Sequence, residues 1–205
     1  MSFKEQVQAV TRNTSRHGDV HSVELQQTFE ADTSAVWDAL TSPDAMSQWF
    51  DVLSGDLKQG GRYSLEGSQH SGTIKTCHAP NSLVVTWEYG DDVSTVSLSL
   101  SPTGSGTLLK LVHEVADNEH WENFGPAATG VGWDGAFYSL WLYLQGDSRS
   151  NPEEMAQMAT SPEGLEFITD TANSWRNAHI ASGEDQAKAE GMAERTAKFY
   201  RGEEF

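Results

Sequence analysis

Midway along the chain the spacing of apolar residues changes from two to 3.6, and that change restricts the fold more than any other feature. Between residues 55 and 115, short runs alternate apolar and polar side chains. Tyr63 and Leu65 share a face, as do Ile74 and Thr76. Leu83, Val85, Trp87 and Tyr89 share the next, followed by Val96, Leu98 and Leu100, then Leu109, Leu111, His113 and Val115. Gly60-Gly61, Pro80-Asn81, Gly90-Asp91-Asp92 and Pro102 through Gly106 supply the turns. A period of two with short turns gives an antiparallel meander with one solvated face. Trp133, Ala136, Phe137, Leu140, Trp141 and Leu144 then fall on one stripe of an amphipathic helix. A sheet with one apolar face and a helix with one apolar stripe must bury each other. The predicted class is therefore α+β, a sheet-on-helix sandwich, with the stripe from Trp133 to Trp141 in the concave side of a bent sheet.

The segments around this centre read as follows. Residues 1–18 are polar and unpatterned, and are expected to be a flexible arm. In VHSVELQQTF, Val23, Leu25, Gln27 and Phe29 alternate with polar residues and predict a first strand. Two short helices follow, about 33–40 and 43–49, the second opened by Ser42-Pro43-Asp44. The glycine-rich run at 125–135 reads as a bend into the long helix, which ends near Gln145-Gly146. Residues 147–162 look like a linker. Beyond them Ser161-Pro162-Glu163 and Ser182-Gly183-Glu184-Asp185 each begin a helix with a modest apolar face. Two such helices cannot make a core alone, so they are expected to dock on the main domain or on a second subunit, which makes a homodimer conceivable.

Composition narrows the function classes. Thirteen Lys+Arg against 30 Asp+Glu leave a formal charge of −17, which repels phosphate backbones and argues against nucleic-acid binding. Hydrophobic residues reach only 37%, but seven Trp, five Tyr and eight Phe can fill a core. A single cysteine, Cys77, excludes an internal disulfide and a CxxC zinc pattern; it reads as a buried small hydrophobe, the other reading being a reactive thiol. The first twenty residues lack the apolar core of a signal peptide, and no stretch reaches membrane-spanning length. The expectation is a cytoplasmic protein with no membrane contact. HExxH and GxSxG patterns, a GxGxxG run following a strand, and a P-loop are missing, so neither a metal nor a cofactor is expected and no catalytic residue is named.

The order of one strand, two short helices, a meander and a long helix resembles the START-like (SRPBCC) superfamily, the helix-grip fold of Bet v 1-like proteins. Within it the chain is similar to the branch named after the C-terminal domain of the heat-shock-protein-90 ATPase activator. VWDALTSPDAMSQWF (36–50), GGRYSLEG (60–67), GTIKTCHAPNSLVVTWEY (72–89), LLKLVHEV (108–115) and GWDGAFYSLWLYLQG (132–146) carry the resemblance. It implies a curved antiparallel sheet of about seven strands wrapped round the long C-terminal helix, with a START-like domain at 19–147 and a helical extension at 148–205. It also implies a choice of functions, because this superfamily hosts carriers, cyclases and co-chaperones. The first reading is a binding module for a small apolar or aromatic molecule held between sheet and helix. A chaperone-interacting protein is the second, although residues 1–18 are too short for the additional N-terminal domain of the activators. A cyclase- or aromatase-like enzyme is the third, and it requires polar groups inside.

Candidate ligand contacts follow from the same faces. His113 shares the inward face with Leu109 and Leu111; it is either a core histidine with a backbone or Tyr partner, or a ligand contact. Gln27 lies inward on the first strand and must find a partner. Tyr63, Trp87 and Tyr89 on strands, and Trp133, Phe137 and Trp141 on the helix, either line an apolar pocket or simply fill the core. Trp49 and Phe50 end the second helix, where they border a pocket mouth or staple the helix to the sheet.

Overall fold

A computed structural model describes residues 1–204 of the chain. It contains helices α1 (Phe3–Ala9), α2 (Thr33–Thr41), α3 (Pro43–Met46), α4 (Glu119–Phe124), α5 (Ala127–Leu144), α6 (Pro152–Ala159), α7 (Pro162–Ala181) and α8 (Gln186–Tyr200). The strands are β1 (Thr11–His17), β2 (Val20–Phe29), β3 (Leu53–Gly55), β4 (Arg62–Leu65), β5 (His70–His78), β6 (Ser82–Tyr89), β7 (Asp92–Thr103) and β8 (Gly106–Ala116). They form one sheet in the order β1-β2-β8-β7-β6-β5-β4-β3. The ladders from β3 to β7 are antiparallel. The α+β class thus stands, with eight strands rather than about seven.

The chain divides into two compact units. One comprises Gln26–His113 and Ser139–Met155. Its inward faces are those given by alternation: Tyr63, Leu65, Val85, Val96, Leu100, Leu109 and Leu111 are all buried. Alternation fails in β5 after Ile74, where a bulge shifts the register against β6. Cys77, beyond that bulge, is half-buried rather than buried. The helix expected over 43–49 stops at Met46, and Trp49 folds back so that its indole N–H donates to the Ala39 carbonyl at 2.8 Å.

The other unit gathers Met1–Leu25, Glu114–Tyr138 and Ala156–Phe205. Residues 1–18 are not an arm: they form α1 and β1. A Ser2–Glu5 capping box starts α1. Phe3 then packs on Tyr138 and Phe167, with ring centroids 4.6 and 4.7 Å away, and Gln6 is fully buried. Arg12 on β1 reaches the fully buried Asp134 of α5, Nη2 to Oδ1 at 2.6 Å and Nε to Oδ2 at 3.1 Å. Trp175 of α7, also fully buried, donates its indole N–H to Asp134 Oδ2 at 2.8 Å. These long-range partners order a segment whose own pattern is polar.

Most of the expected bend at 125–135 is helix. Only Gly125 takes a left-handed φ of 61°, and α5 begins at Ala127. Gly130 is needed for packing rather than for bending. A Cβ there would lie 2.2 Å from the Trp175 ring. Residues 147–162 are likewise not a simple linker: a 3-10 turn at Ser148–Ser150 and the exposed α6 occupy them. The two tail helices begin where expected, capped by Ser161 and Asp185. The α7–α8 pair is anchored on α4, with Thr196 Oγ1 donating to the Phe124 carbonyl and Arg195 Nε to the Asn123 carbonyl.

Candidate functional site

Within the unit built on Gln26–His113, side chains from β5, β6, β7, β8 and the loop after α3 meet on the inward face. His113 on β8 is buried, and its Nε2 lies 2.8 Å from Ser94 Oγ on β7. Ser94 Oγ also lies 3.0 Å from the Trp87 carbonyl. A hydroxyl has one proton. It serves either the Trp87 carbonyl or a deprotonated His113 Nε2, and the histidine tautomer decides which. The Trp87 indole of β6 stands edge-on to His113, ring centroids 6.3 Å apart, and lies 6.5 Å from Phe50. His70, the first residue of β5, tilts against both Trp87 at 5.0 Å and Tyr89 at 5.1 Å. Exposure falls along this row: Tyr89 is open to solvent, Trp87 and His70 are half-buried, and His113 is closed off.

Both imidazoles are kept neutral. Burial, reinforced by the proximity of His70, pulls the His113 pKa from 6.5 down to about 4. Burial also lowers that of His70, against the opposing pulls of the Ser68 carbonyl and the Asp51 carboxylate. Asp51 is itself held ionised despite its burial. Its carboxylate accepts from the backbone N–H groups of Val52, Gly67 and Ser68 at 2.7, 2.7 and 2.8 Å.

Ser94 Oγ lies between the Trp87 carbonyl and His113 Nε2, and the direction of its bond to the histidine follows the imidazole tautomer. The arrangement therefore offers stacking surface and neutral hydrogen-bonding rings. Among the described residues no three His, Cys, Asp or Glu converge to hold a metal, and no helix is long and apolar enough to cross a membrane.

A pH dependence follows for His113. Its folded pKa lies below the unfolded value, so the unfolded chain takes up the proton first as pH falls. Stability is full above about pH 6.5 and is lost progressively toward pH 4, by about 3 kcal/mol over the whole window. Urea unfolding of His113→Leu should show a flatter pH profile than the parent between these limits. Parallel profiles would contradict the assignment.

Of the residues expected at a ligand site, the structure brings together Phe50, Trp87, Tyr89 and His113, with Trp49 at 5.2 Å from Phe50. Trp49 serves as the staple: its indole is bonded to Ala39 and its carbonyl accepts from Ser139 Oγ at 2.7 Å. Tyr63 is committed to the sheet. Its buried hydroxyl donates to the Thr86 carbonyl at 2.7 Å, and its pKa is driven up by burial. Gln27 is buried between Leu25 and Phe29 on β2. Phe137 is buried on α5, whereas Trp133 and Trp141 are half-buried there.

His70 and Ser94 were not foreseen, yet both were within reach of the same rule. His70 is in phase with Gly72 and Ile74, so starting the strand two residues earlier turns it inward. Ser94 is in phase with Val96, Leu98 and Leu100. The expected partner of His113 was a backbone group or a Tyr, and Ser94 is a partner beyond that expectation.

The comparisons agree with this fold. CalU16 from Micromonospora echinospora is similar in its crystal structure at 31% identity, over 83% of this chain and 98% of that one, with a TM-score of 0.69. Its solution structure gives 30% identity, 85% and 97% coverage, and a TM-score of 0.72. EF2215 from Enterococcus faecalis, at 16% identity, covers 89% of this chain and 96% of its own, with a TM-score of 0.62. DynU16, a protein of the dynemicin biosynthetic locus, is 20% identical over 63% of this chain and 49% of its own, with a TM-score of 0.57. The latter two show the fold alone. The chain has no match among the curated proteins. Residues 30–145, more than half of the chain, match the family described as Activator of Hsp90 ATPase homolog 1-like protein. The chain belongs to that family, a branch of the SRPBCC superfamily of helix-grip, Bet v 1-like proteins.

Proposed function

We propose that this protein is a binding module for a small apolar or aromatic molecule. The ligand stacks on the inward sheet face that carries Phe50, His70, Trp87 and His113. One observation carries the reading: a row of rings that runs from the exposed Tyr89 through half-buried Trp87 to a buried, neutral histidine. Aromatic walls with a few fixed polar groups are the usual make-up of small-molecule sites.

The test is a thermal-shift screen of mono- and bicyclic aromatics. A ligand of the native state raises the melting temperature with concentration. At least one compound is expected to do so, and Trp87→Ala is expected to abolish the effect. If no compound moves the parent protein's melt, and the protein instead stimulates a heat-shock-protein-90 ATPase, the partner-binding reading replaces this one.

A further inference from the structure

The unit that gathers the tail has a ring-lined hollow of its own. Its walls are His120 and Phe124 of α4, Ala128 of α5, and Thr196, Phe199 and Tyr200 of α8. Its volume is about 130 Å³. An apolar void of about 150 Å³ takes up benzene, so this one admits a group of five or six heavy atoms. The rings are set at angles around it rather than stacked. His120 and Phe124 are 5.0 Å apart between centroids and inclined at 44°. Phe124 and Phe199 are 6.0 Å apart at 53°, and Phe199 and Tyr200 5.7 Å apart at 86°.

Burial in the core does not explain the two outer rings, since Phe199 is 61% and Tyr200 37% exposed. Tyr200 is nevertheless fixed in place. Its hydroxyl donates to the Ala128 carbonyl at 2.8 Å, and a Cβ at Gly132 would come within 3.3 Å of that oxygen. Thr196 Oγ1 donates in the same way to the Phe124 carbonyl at 2.9 Å. Each hydroxyl has spent its one proton on the backbone, so it has only lone pairs left to offer a guest. Aromatic rings carry negative charge on their faces. The basic residues that flank Phe199 and Tyr200 on the chain are held by carboxylates, Lys198 by Glu194 at 3.0 Å and Arg201 by Glu203 at 2.8 Å. The whole chain carries a formal −17. A neutral apolar guest would gain burial here, whereas an alkylated cation would gain burial and attraction together.

We infer that this hollow is a second binding site, and that it takes the head of a free, small quaternary ammonium compound. A nitrogen with its four attached carbons has five heavy atoms, which matches the volume. Rings at steep angles around a small hollow are the arrangement that recognises methylated ammonium groups. The occupant is a free cation rather than a lipid head group, because an acidic chain gains nothing from the phosphate that a phospholipid places beside its ammonium.

The test compares choline with 3,3-dimethyl-1-butanol, which has the same shape but carbon in place of the charged nitrogen. Both are titrated into the protein and followed by NMR, in about 0.5 M sodium chloride so that attraction to the chain's overall charge is screened within about 5 Å. Choline is expected to bind about fivefold more tightly than the alcohol, and to move the resonances of Thr196, Phe199 and Tyr200. Phe199→Leu keeps the charge and an apolar side chain but removes one ring. At this exposed position it should leave the melting temperature unchanged and reduce the difference between the probes to under about twofold. Trp87→Ala should leave choline binding intact. Equal affinity for the two probes overturns the inference, as does the absence of saturable choline binding. A difference that survives Phe199→Leu, or choline binding lost in Trp87→Ala, overturns it as well. Vesicles of phosphatidylcholine should not sediment the protein, and sedimentation would replace the free cation with a lipid surface. None of these results bears on the aromatic ligand proposed above.

Discussion

Arg12→Ala is expected to destabilise the protein by about 3–5 kcal/mol, measured by urea unfolding at pH 7. The reason is what it leaves behind. Asp134 has no exposed surface, and Arg12 supplies two of the three donors described on its carboxylate. Burial pushes the Asp134 pKa upward, while Arg12 and the Trp175 indole pull it back. Without the guanidinium only the indole N–H remains, and the carboxyl will fold protonated. The sign of the pH effect follows. A carboxyl whose folded pKa lies above its unfolded value contributes stability below the unfolded value and loses it as pH rises. The penalty of Arg12→Ala should therefore be smaller at pH 4 than at pH 7. Arg12 also bonds the Val7 and Val10 carbonyls at 2.9 and 3.0 Å, so the variant frees the end of α1 as well. Replacing both partners, as Arg12→Met with Asp134→Leu, removes the buried charge and should recover most of the loss. A penalty under about 1 kcal/mol for Arg12→Ala alone would show that the pair does not hold this unit together.

The second large effect is expected at the crossing of α5 and α7. Trp175→Ala empties a fully buried ring and should cost about 3–5 kcal/mol. Gly130→Ala should also destabilise, by about 1–3 kcal/mol, because the new methyl would sit 2.2 and 2.3 Å from Trp175 Cε2 and Nε1. The decisive measurement is the double variant. With the indole gone, the methyl at 130 meets space, and alanine is the better helix former. Gly130→Ala should then be neutral or stabilising in the Trp175→Ala background, a strong departure from additivity. Additive costs would mean that Gly130 is required for some reason other than this ring.

What the sequence disclosed and what it hid divide along a physical line. Strands β4 to β8 were legible, β5 only as far as the bulge after Ile74, because each buries one face, so alternation names the inward residues directly, His113 among them. Elements that owe their order to distant partners were not. Thr11–His17 has no alternating apolar residues, and it is a strand because it lies beside β2 and because Arg12 finds Asp134. Glycines at 130, 132 and 135 read as a bend because helix propensity penalises them. The need for close approach to Trp175 outweighs that penalty at Gly130 and is invisible locally. The site was half legible. Trp87 and His113 followed from phase, while His70 was lost to a strand start placed two residues late.

One compact unit is assembled from three separated stretches of chain, and this bears on how the molecule is made. Phe3 and Arg12 leave the ribosome long before their partners Asp134, Phe167 and Trp175 exist. Gln26–His113, by contrast, is a single continuous run that supplies most of its own unit. During synthesis the amino-terminal stretch must wait, solvated and polar enough to wait safely, until the helical tail arrives. A nascent chain arrested before α7 would expose Phe3 and leave the Asp134–Arg12 pair without its tryptophan cover, a state that quality-control chaperones and proteases are equipped to detect.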